Sequence, residues 1–139
     1  MENEPKPRNI LVIDDDRETC AFFEGILERQ GFKVAVAYDG KSALDLLAAE
    51  AAGGIDLIIL DLMMPGYGGY EVLKELKPTR HAAVPIFVVT ARVLDSGTVQ
   101  LIRAEANVRE FWTKPVDIKK FIDKTHALFG TQPPKKKQP

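Results

Sequence analysis

Apolar and polar positions follow two patterns that alternate along the chain. Short, continuous apolar runs rich in β-branched residues are typical of strands buried on both faces of a parallel sheet. Longer stretches with an apolar residue at every third or fourth position indicate amphipathic helices. The first pattern predicts five strands, at residues 10–13, 33–38, 55–60, 84–89 and 108–113.

A helical pattern follows each of these strands. The first predicted helix ends at Gly31, and the second begins after Asp39-Gly40. The last three cover about 70–76, 97–106 and 118–129. The fourth helix has a thin apolar stripe, and the fifth has the clearest one. Strands that alternate with helices form a parallel sheet with right-handed crossovers and helices on both faces. The sequence therefore predicts one α/β domain, a doubly wound (βα)5 sheet of five parallel strands.

The composition is typical of one globular domain, flanked by a short segment at each terminus. The 139 residues are 45% apolar and 28% charged, which is ordinary for a soluble protein. The formal net charge of −1 argues against a nucleic-acid-binding surface spread over the whole molecule. We expect residues 1–8 to be a flexible arm, residues 9–130 the domain, and residues 131–139 a flexible tail or the stump of a linker.

Cysteine usage and the first residues indicate the compartment. Cys20 is the one cysteine of the chain, so no intrachain disulfide can form and a reducing compartment is favoured. The N-terminus lacks the basic and apolar blocks of a signal peptide, and no apolar run reaches membrane-spanning length. We therefore expect a cytoplasmic protein without a membrane segment.

Polar side chains stand where the predicted strands end. Asp14 and Asp15 follow the first strand, Asp61 the third, Thr90 the fourth and Lys114 the fifth. The carboxyl ends of parallel strands meet at one edge of the sheet, where open α/β sheets bind their ligands. These five side chains, although spread over a hundred positions, are therefore expected to converge.

Three carboxylates at one edge repel one another, and a divalent cation relieves that repulsion. The neighbouring ligands are all oxygens, without histidine or cysteine beside them, which favours Mg²⁺ or Mn²⁺ over zinc. A carboxylate beside such an ion can attack phosphorus and form an acyl phosphate. A lysine would offset the growing negative charge, and a threonine hydroxyl would donate to a phosphoryl oxygen.

The ordered set of these residues resembles a known family. The matching positions are Asp14-Asp15, Leu60-Asp61 with Met63-Met64-Pro65-Gly66, Thr90-Ala91, Phe111 and Lys114-Pro115. Together they resemble the receiver domain of two-component response regulators, over residues 9–129. A lone Asp-Asp pair is a weak signal, whereas the full set in this order is highly specific.

This resemblance implies a fold and a site. The family has a flavodoxin-like sheet with strand order 2-1-3-4-5. Asp61 would be the phosphoacceptor, and Asp14 and Asp15 would hold Mg²⁺ together with Asp61 and the backbone carbonyl of Met63. Lys114 would pair with Asp61 or with its phosphate.

The resemblance also implies moving and tuning residues. Thr90 would swing toward the phosphoryl group, and Phe111 would turn inward into the space that Thr90 leaves. Arg92 and Met63 occupy positions that would tune the lifetime of the phosphate. The peptide bond of Lys114-Pro115 is expected to be cis, as is usual in the family.

Partners follow from the same resemblance. The phosphodonor would be a histidine kinase or a histidine phosphotransfer protein, and the chain would be a signalling switch rather than an enzyme. The surface of the fourth helix, fifth strand and fifth helix would report the change to a downstream protein or to an output domain outside this chain. The domain would be a monomer or a phosphorylation-dependent dimer, and no direct nucleic-acid binding is expected.

Several positions depart from the family pattern or have plain structural explanations. Tyr67-Gly68-Gly69 replaces a common Met-Asp-Gly, which predicts a more flexible loop. Asn107 stands where glycine is common and could adopt the left-handed conformation. Trp112 is expected in the interior, and His81 and His126 at the surface.

Two other functions fit part of the pattern. A phosphohydrolase of the haloacid dehalogenase kind would use Asp14 as nucleophile and Asp16 as acid/base, but this would leave Asp61 without a role. Asp16 is better explained as a helix cap. A flavodoxin-like FMN binder would need a hydroxyl- and glycine-rich loop after the first strand, where three acids would repel the phosphate.

Overall fold

Strands and helices alternate through the part of the chain that the structure describes. The computed structural model describes residues 7–49, 54–62, 64, 68–79, 82–91, 95–105 and 107–134. These residues form β1 (Asn9–Ile13), α1 (Arg17–Arg29), β2 (Lys33–Ala37), α2 (Gly40–Ala48), β3 (Leu57–Asp61), α3 (Gly69–Leu76), β4 (Ile86–Thr90), α4 (Ser96–Arg103), β5 (Val108–Thr113) and α5 (Ile118–Phe129). Each predicted element is present.

The five strands form one parallel sheet. Its order is β2-β1-β3-β4-β5, and every neighbouring pair is parallel. The predicted α/β fold with order 2-1-3-4-5 is therefore confirmed. The order reverses between β1 and β3, so the crevice at their carboxyl ends is the switch point where such sheets bind ligands.

Side chains of the strands alternate between two apolar cores, one on each face of the sheet. The core beneath α2, α3 and α4 includes Leu11, Ile13, Leu47, Ile58, Leu60, Val72, Leu76, Val88 and Ile102. The core beneath α1 and α5 includes Ile10, Val12, Phe23, Leu27, Ile59, Phe87, Val89 and Phe121. Burial on both faces explains why the central strands are continuously apolar.

Aspartates begin most of the helices. Asp16, Asp39, Asp95 and Asp117 each accept a hydrogen bond from a backbone N–H in the first turn of α1, α2, α4 and α5. The predicted cap role of Asp16 is thus confirmed. No described helix is long and apolar enough to cross a membrane.

Three elements differ from the sequence prediction by two or three residues at one end. β3 begins at Leu57 rather than at residue 55. β4 begins at Ile86 rather than at residue 84, because Pro85 has no N–H to donate to the sheet. α4 ends at Arg103 rather than at residue 106. The chain turns there, with the N–H of Val108 donating to the carbonyl of Glu105 at 3.1 Å as β5 begins.

The expectation for Asn107 was wrong. No described residue other than glycine has a positive φ, so Asn107 does not adopt the left-handed conformation. Its side-chain Nδ2 instead donates to the carbonyl oxygen of Val84 at 3.1 Å, and its own carbonyl accepts from the N–H of Ile86 at 2.8 Å. The amide side chain therefore joins the starts of β4 and β5.

The surface placement of His126 was also wrong, because this residue is buried at 4% exposure. Its ring packs against Phe32, with ring centroids 5.1 Å apart. Nε2 lies 2.9 Å from Oε1 of Gln30, and Nδ1 lies 2.7 Å from Oγ1 of Thr131. Since the Gln30 oxygen only accepts, Nε2 carries the proton and Nδ1 accepts from the Thr131 hydroxyl. His81 lies outside the described residues.

Candidate functional site

Three of the predicted site residues lie at the carboxyl ends of neighbouring central strands. Asp61 and Thr90 are the last residues of β3 and β4, and Asp14 follows β1 with its N–H donating to the carbonyl of Ala37 at 3.1 Å. All three are buried, at 3% exposure for Asp14, 5% for Asp61 and 0% for Thr90. The apolar strands thus hold polar side chains at one rim.

The three predicted carboxylates form one cluster. Asp14, Asp15 and Asp61 each offer an oxygen, and these oxygens lie within 4.8 Å of one another. Asp14 and Asp61 are buried, whereas Asp15 is exposed. A cluster made of oxygen ligands, open to solvent on one side, fits a hard divalent cation such as Mg²⁺ that keeps several waters. This acidic pocket is of the kind that holds Mg²⁺ in receiver domains.

Lys114 brings a positive charge into this pocket. Its Nζ donates to Oδ2 of Asp14 at 2.8 Å and lies 3.7 Å from Oδ2 of Asp61. The backbone N–H of Lys114 donates to the carbonyl of Thr90 at 2.8 Å, which fixes the start of the side chain. The peptide bond of Lys114-Pro115 is cis, as expected. The shorter contact with Asp14 is a feature that sequence reasoning missed.

The charge of Lys114 is stabilised by its neighbours. Burial alone would lower the pKa of the ammonium, but the hydrogen bond to Asp14 and the charge of Asp61 outweigh it. The pKa of Lys114 therefore lies above its ordinary value, and the side chain stays cationic. It can offset negative charge on either carboxylate.

Hydrogen bonds hold Asp14 in place from several sides. Its Oδ1 accepts from the backbone N–H of Asp16 at 2.9 Å, while Oδ2 accepts from Lys114. The thiol of Cys20 donates to the backbone carbonyl of Asp14 at 3.2 Å. Burial raises the pKa of this thiol to about 11, so Cys20 stays neutral and acts as a donor.

The predicted switch residues lie on adjacent strands. Thr90 of β4 is in register with Thr113, and Val88 with Phe111 of β5. Phe111 is partly buried and packs against the core beneath α2, α3 and α4. The guanidinium carbon of Arg103, the last residue of α4, lies 5.6 Å from the centre of the Phe111 ring.

Gly69, the first residue of α3, packs directly on the backbone at the end of β3. A Cβ placed on Gly69 would collide with the carbonyl oxygen of Asp61 and lie 2.7 Å from Cα of Leu62. The N–H of Gly69 also donates to the carbonyl of Leu62 at 3.2 Å. The pair Gly68-Gly69 therefore permits close packing at Asp61, a role that the sequence did not reveal.

Some predicted site residues lie outside the described residues. These are Met63, whose carbonyl was expected to bind Mg²⁺, and Arg92, which was expected to tune the lifetime of the phosphate. The loop residues 65–67 are outside them as well. The roles of Met63 and Arg92 stay predictions.

A comparison with known families decides the identity of this fold and site. The family model of the response regulator receiver domain matches residues 10–126. The chain belongs to this family. It is a receiver domain with an acidic pocket of Asp14, Asp15 and Asp61, and members of the family are generally signalling switches rather than enzymes.

Curated relatives of this receiver are longer proteins. The chain is 36% identical over 119 residues to the transcriptional regulatory protein CpxR of Escherichia coli (strain K12), covering 86% of this chain and 48% of CpxR. It is 34% identical over 128 residues to the response regulator MprA of Mycolicibacterium vanbaalenii, covering 92% of this chain and 53% of MprA. The receiver thus spans about half the length of these relatives.

Solved receiver structures superpose over nearly the whole domain. The receiver domain of Francisella response regulator 1452 has a TM-score of 0.74 and 30% identity, covering 88% of this chain and 97% of that chain. The response regulator TrrA of Thermotoga maritima has a TM-score of 0.72 and 27% identity, covering 87% of this chain and 98% of that chain. The structure of TrrA is of a complex with Mg²⁺-BeF.

Proposed function

We propose that this receiver accepts a phosphoryl group on Asp61 from a phosphohistidine partner in a Mg²⁺-dependent reaction. The observation that carries the proposal is the convergence of charges at one sheet edge. The buried carboxylate of Asp61 shares the edge with Asp14 and Asp15, whose oxygens lie within 4.8 Å, and with the Lys114 ammonium at 3.7 Å. This arrangement suits a nucleophile that must receive an anionic group.

The transfer exchanges one bond to phosphorus for another. A carboxylate oxygen of Asp61 attacks the phosphorus atom, so a P–O bond forms while the P–N bond to the donor imidazole breaks. The imidazole leaves with the electron pair and takes up a proton. Lys114 offsets the charge that remains on Asp61 and on the phosphoryl oxygens, and the Thr90 hydroxyl donates a hydrogen bond to one of these oxygens.

Asp14, Asp15 and Asp61 would hold the cation, Mg²⁺ or in its place Mn²⁺, and the family pattern adds the Met63 carbonyl. When bound, the divalent ion offsets the negative charge of the carboxylates and of the phosphoryl group. Asp14 is kept in position by the N–H of Asp16 and by Lys114. The complex of TrrA with Mg²⁺-BeF supports the same use of the pocket here.

Phosphorylation would shift the receiver between two conformations. We propose that Thr90 moves toward the phosphoryl group and that Phe111 turns inward, which changes the surface formed by α4, β5 and α5. The acyl phosphate favours the second conformation only by the contacts that it gains there, chiefly with Thr90 and Lys114. Partners that bind this surface would sense the change.

The rival phosphohydrolase is disfavoured by the use of Asp16. Both carboxylate oxygens of Asp16 are engaged at the start of α1, with the N–H groups of Glu18 and Thr19 and with the Thr19 hydroxyl. To act as the acid/base beside a nucleophilic Asp14, the side chain of Asp16 would have to give up these cap hydrogen bonds. The oxygens of Asp14, the nucleophile of that chemistry, accept hydrogen bonds from the N–H of Asp16 and from Lys114.

The proposed partners follow the two-component pattern. A histidine kinase or a histidine phosphotransfer protein would supply the phosphoryl group in the cytoplasm, and a downstream protein or an output domain outside this chain would read the switch. The receiver would work as a monomer or as a phosphorylation-dependent dimer, without binding nucleic acid or membrane directly. Residues 9–130 would form the receiver, flanked by residues 1–8 and 131–139.

Single substitutions separate this function from the rival. Wild-type protein, Asp61→Asn and Asp14→Asn are incubated with acetyl phosphate and Mg²⁺, and bound phosphate is measured over time. We expect wild type to incorporate phosphate, Asp61→Asn to incorporate none, and Asp14→Asn to react slowly because its cation site is weakened. Full incorporation in Asp61→Asn together with none in Asp14→Asn would contradict the proposal and favour the phosphohydrolase.

A further inference from the structure

Arg103 lies against the aromatic side chain that the proposed switch moves. Its guanidinium carbon is 5.6 Å from the centre of the Phe111 ring, within the range of a cation–π contact. Arg103 is exposed and Phe111 is partly buried. The contact therefore joins the exposed end of α4 to a ring of β5 that packs against the core.

The helix that carries Arg103 buries little apolar surface. α4 has eight residues, of which Ile102 is the one fully buried residue that it contributes to the core. Leu101 of the same helix is 63% exposed. A short helix with little buried apolar surface gains little from packing, so a contact between its last residue and β5 has a large share in placing it.

We propose that Arg103 is a positioning residue that holds Phe111 in its outer position and thereby sets the threshold of the phosphorylation switch. The proposal rests on the proposed function, because Phe111 must move for Arg103 to matter. Inward rotation of Phe111 would take the ring away from the cation. The cation–π contact is then lost in the phosphorylated conformation and favours the unphosphorylated one.

The size of this bias follows from the strength of exposed cation–π contacts. Such a contact changes the equilibrium constant between the two conformations about two- to fivefold. A ligand that selects the phosphorylated conformation should therefore bind about two- to fivefold more tightly when the contact is removed. The ring contact with Phe111 is the route by which Arg103 would act on the switch.

Beryllofluoride with Mg²⁺ provides the probe, because it imitates a phosphoryl group on a carboxylate. The concentration that half-saturates the full chain is measured by the fluorescence of Trp112, with backbone amide NMR shifts as a second readout. Arg103→Met keeps the aliphatic stem and removes the charge, and Arg103→Lys keeps a charge. We expect Arg103→Met to bind beryllofluoride about two- to fivefold more tightly than wild type, with Arg103→Lys in between.

A double-mutant cycle separates positioning from a general effect on α4. Phe111→Leu removes the ring, so Arg103→Met should change beryllofluoride binding little or not at all in that background. An unchanged midpoint in Arg103→Met, or an equal shift with and without the Phe111 ring, would overturn the proposal. Failure of the underlying function would look different, because wild type itself would then bind no beryllofluoride and resemble Asp61→Asn.

Discussion

Lys114 is the residue whose contacts say most about the resting state of the site. Its ammonium donates to Asp14 at 2.8 Å and stands 3.7 Å from Asp61. The lysine thus offsets the charge of two buried carboxylates at once. In the proposed function, the same ammonium would offset the charge of a phosphoryl group on Asp61.

His126 gives the stability of the fold a dependence on pH. Burial lowers the pKa of this imidazole below its ordinary value of 6.5, partly opposed by the charge of Asp123 on the same helix. Gln30 at the C-cap of α1, Phe32 before β2 and Thr131 after α5 are uncharged neighbours. The folded state therefore favours the neutral ring.

The sign of that effect leads to a prediction. The unfolded chain binds the proton more readily than the folded one, so the contribution of His126 is complete above about pH 6.5 and declines as the pH falls below it. Urea unfolding at several pH values should show that wild type loses more stability than His126→Gln as the pH falls below about 6.5. Equal slopes for the two proteins would show that His126 does not titrate differently on folding.

Single residues also mark the limit of what the sequence could predict. Residue types and their places after strands sufficed to predict which side chains converge at one edge, because parallel strands end together. Neither the burial of His126 nor the side-chain bond of Asn107 could be predicted in this way. His126 bonds to Gln30, which lies 96 positions away along the chain, and Asn107 bonds to Val84, 23 positions away. Only the packed structure brings these partners close.

At the level of elements, α3 packs closely against the end of β3 because Gly69 has no side chain. Gly69→Ala would push a methyl group into the backbone at Asp61 and Leu62. We expect the substitution to destabilise the protein by about 1–3 kcal/mol and to slow phosphorylation, because the acceptor backbone must shift. Urea unfolding and the rate with acetyl phosphate measure the two effects.

Gly25→Ala in α1 is the matched control. A Cβ at Gly25 would meet nothing within 4 Å, and alanine favours the helix by about 0.5–1 kcal/mol over glycine. Gly25→Ala should therefore be neutral or stabilising and leave the phosphorylation rate unchanged. If Gly69→Ala behaved in the same way, the close packing at Asp61 would not constrain the site.

α5 is held to the sheet by an aromatic cluster. The fully buried ring of Phe121 lies 5.0 Å from Phe23, 5.8 Å from Trp112 and 6.1 Å from Phe87, between ring centroids. Phe121→Ala should cost about 3–5 kcal/mol, seen as a lower midpoint in urea. Phe22→Ala, at a ring that is 48% exposed, should cost far less, and a similar loss for both would contradict this account.

Elements were predictable where local signals are strong. Continuous apolar runs, aspartate caps and the last amphipathic helix marked strands and helices within a few residues. The start of β4 and the end of α4 were predicted two or three residues too long, because a proline and a thin apolar stripe leave these boundaries to tertiary contacts. At the end of α4, one such contact is the ion pair of Lys77 with Glu105 at 2.9 Å.

For the molecule as a whole, the cluster of carboxylates at the sheet edge predicts that Mg²⁺ stabilises the folded protein. An ion that binds only the folded receiver raises its stability as its concentration increases, by about 1.4 kcal/mol for each tenfold excess over its dissociation constant. Thermal unfolding of wild type should shift upward with Mg²⁺ and return with a chelator. Asp61→Asn should show a smaller shift, and equal shifts for both proteins would exclude binding at this pocket.

The fold and the family were predictable from the order of a few motifs, while the movement of Thr90 and Phe111 rests on the family resemblance alone. Asp14-Asp15, Asp61, Thr90 and Lys114 are far apart along the chain, yet the alternation of strands and helices fixes their relative positions. Whether Phe111 moves depends on small differences between two packings of the same core. Such differences come from contacts like that of Arg103, which no pattern along the chain encodes.

The central claim is that Asp61 carries the phosphoryl group. Its most direct test is peptide mapping by mass spectrometry after the full chain has reacted with acetyl phosphate and Mg²⁺. The account predicts one added phosphoryl group, on the peptide that contains Asp61, and none when Mg²⁺ is removed by a chelator. A phosphoryl group found on the peptide of Asp14, or on no peptide at all, would contradict it.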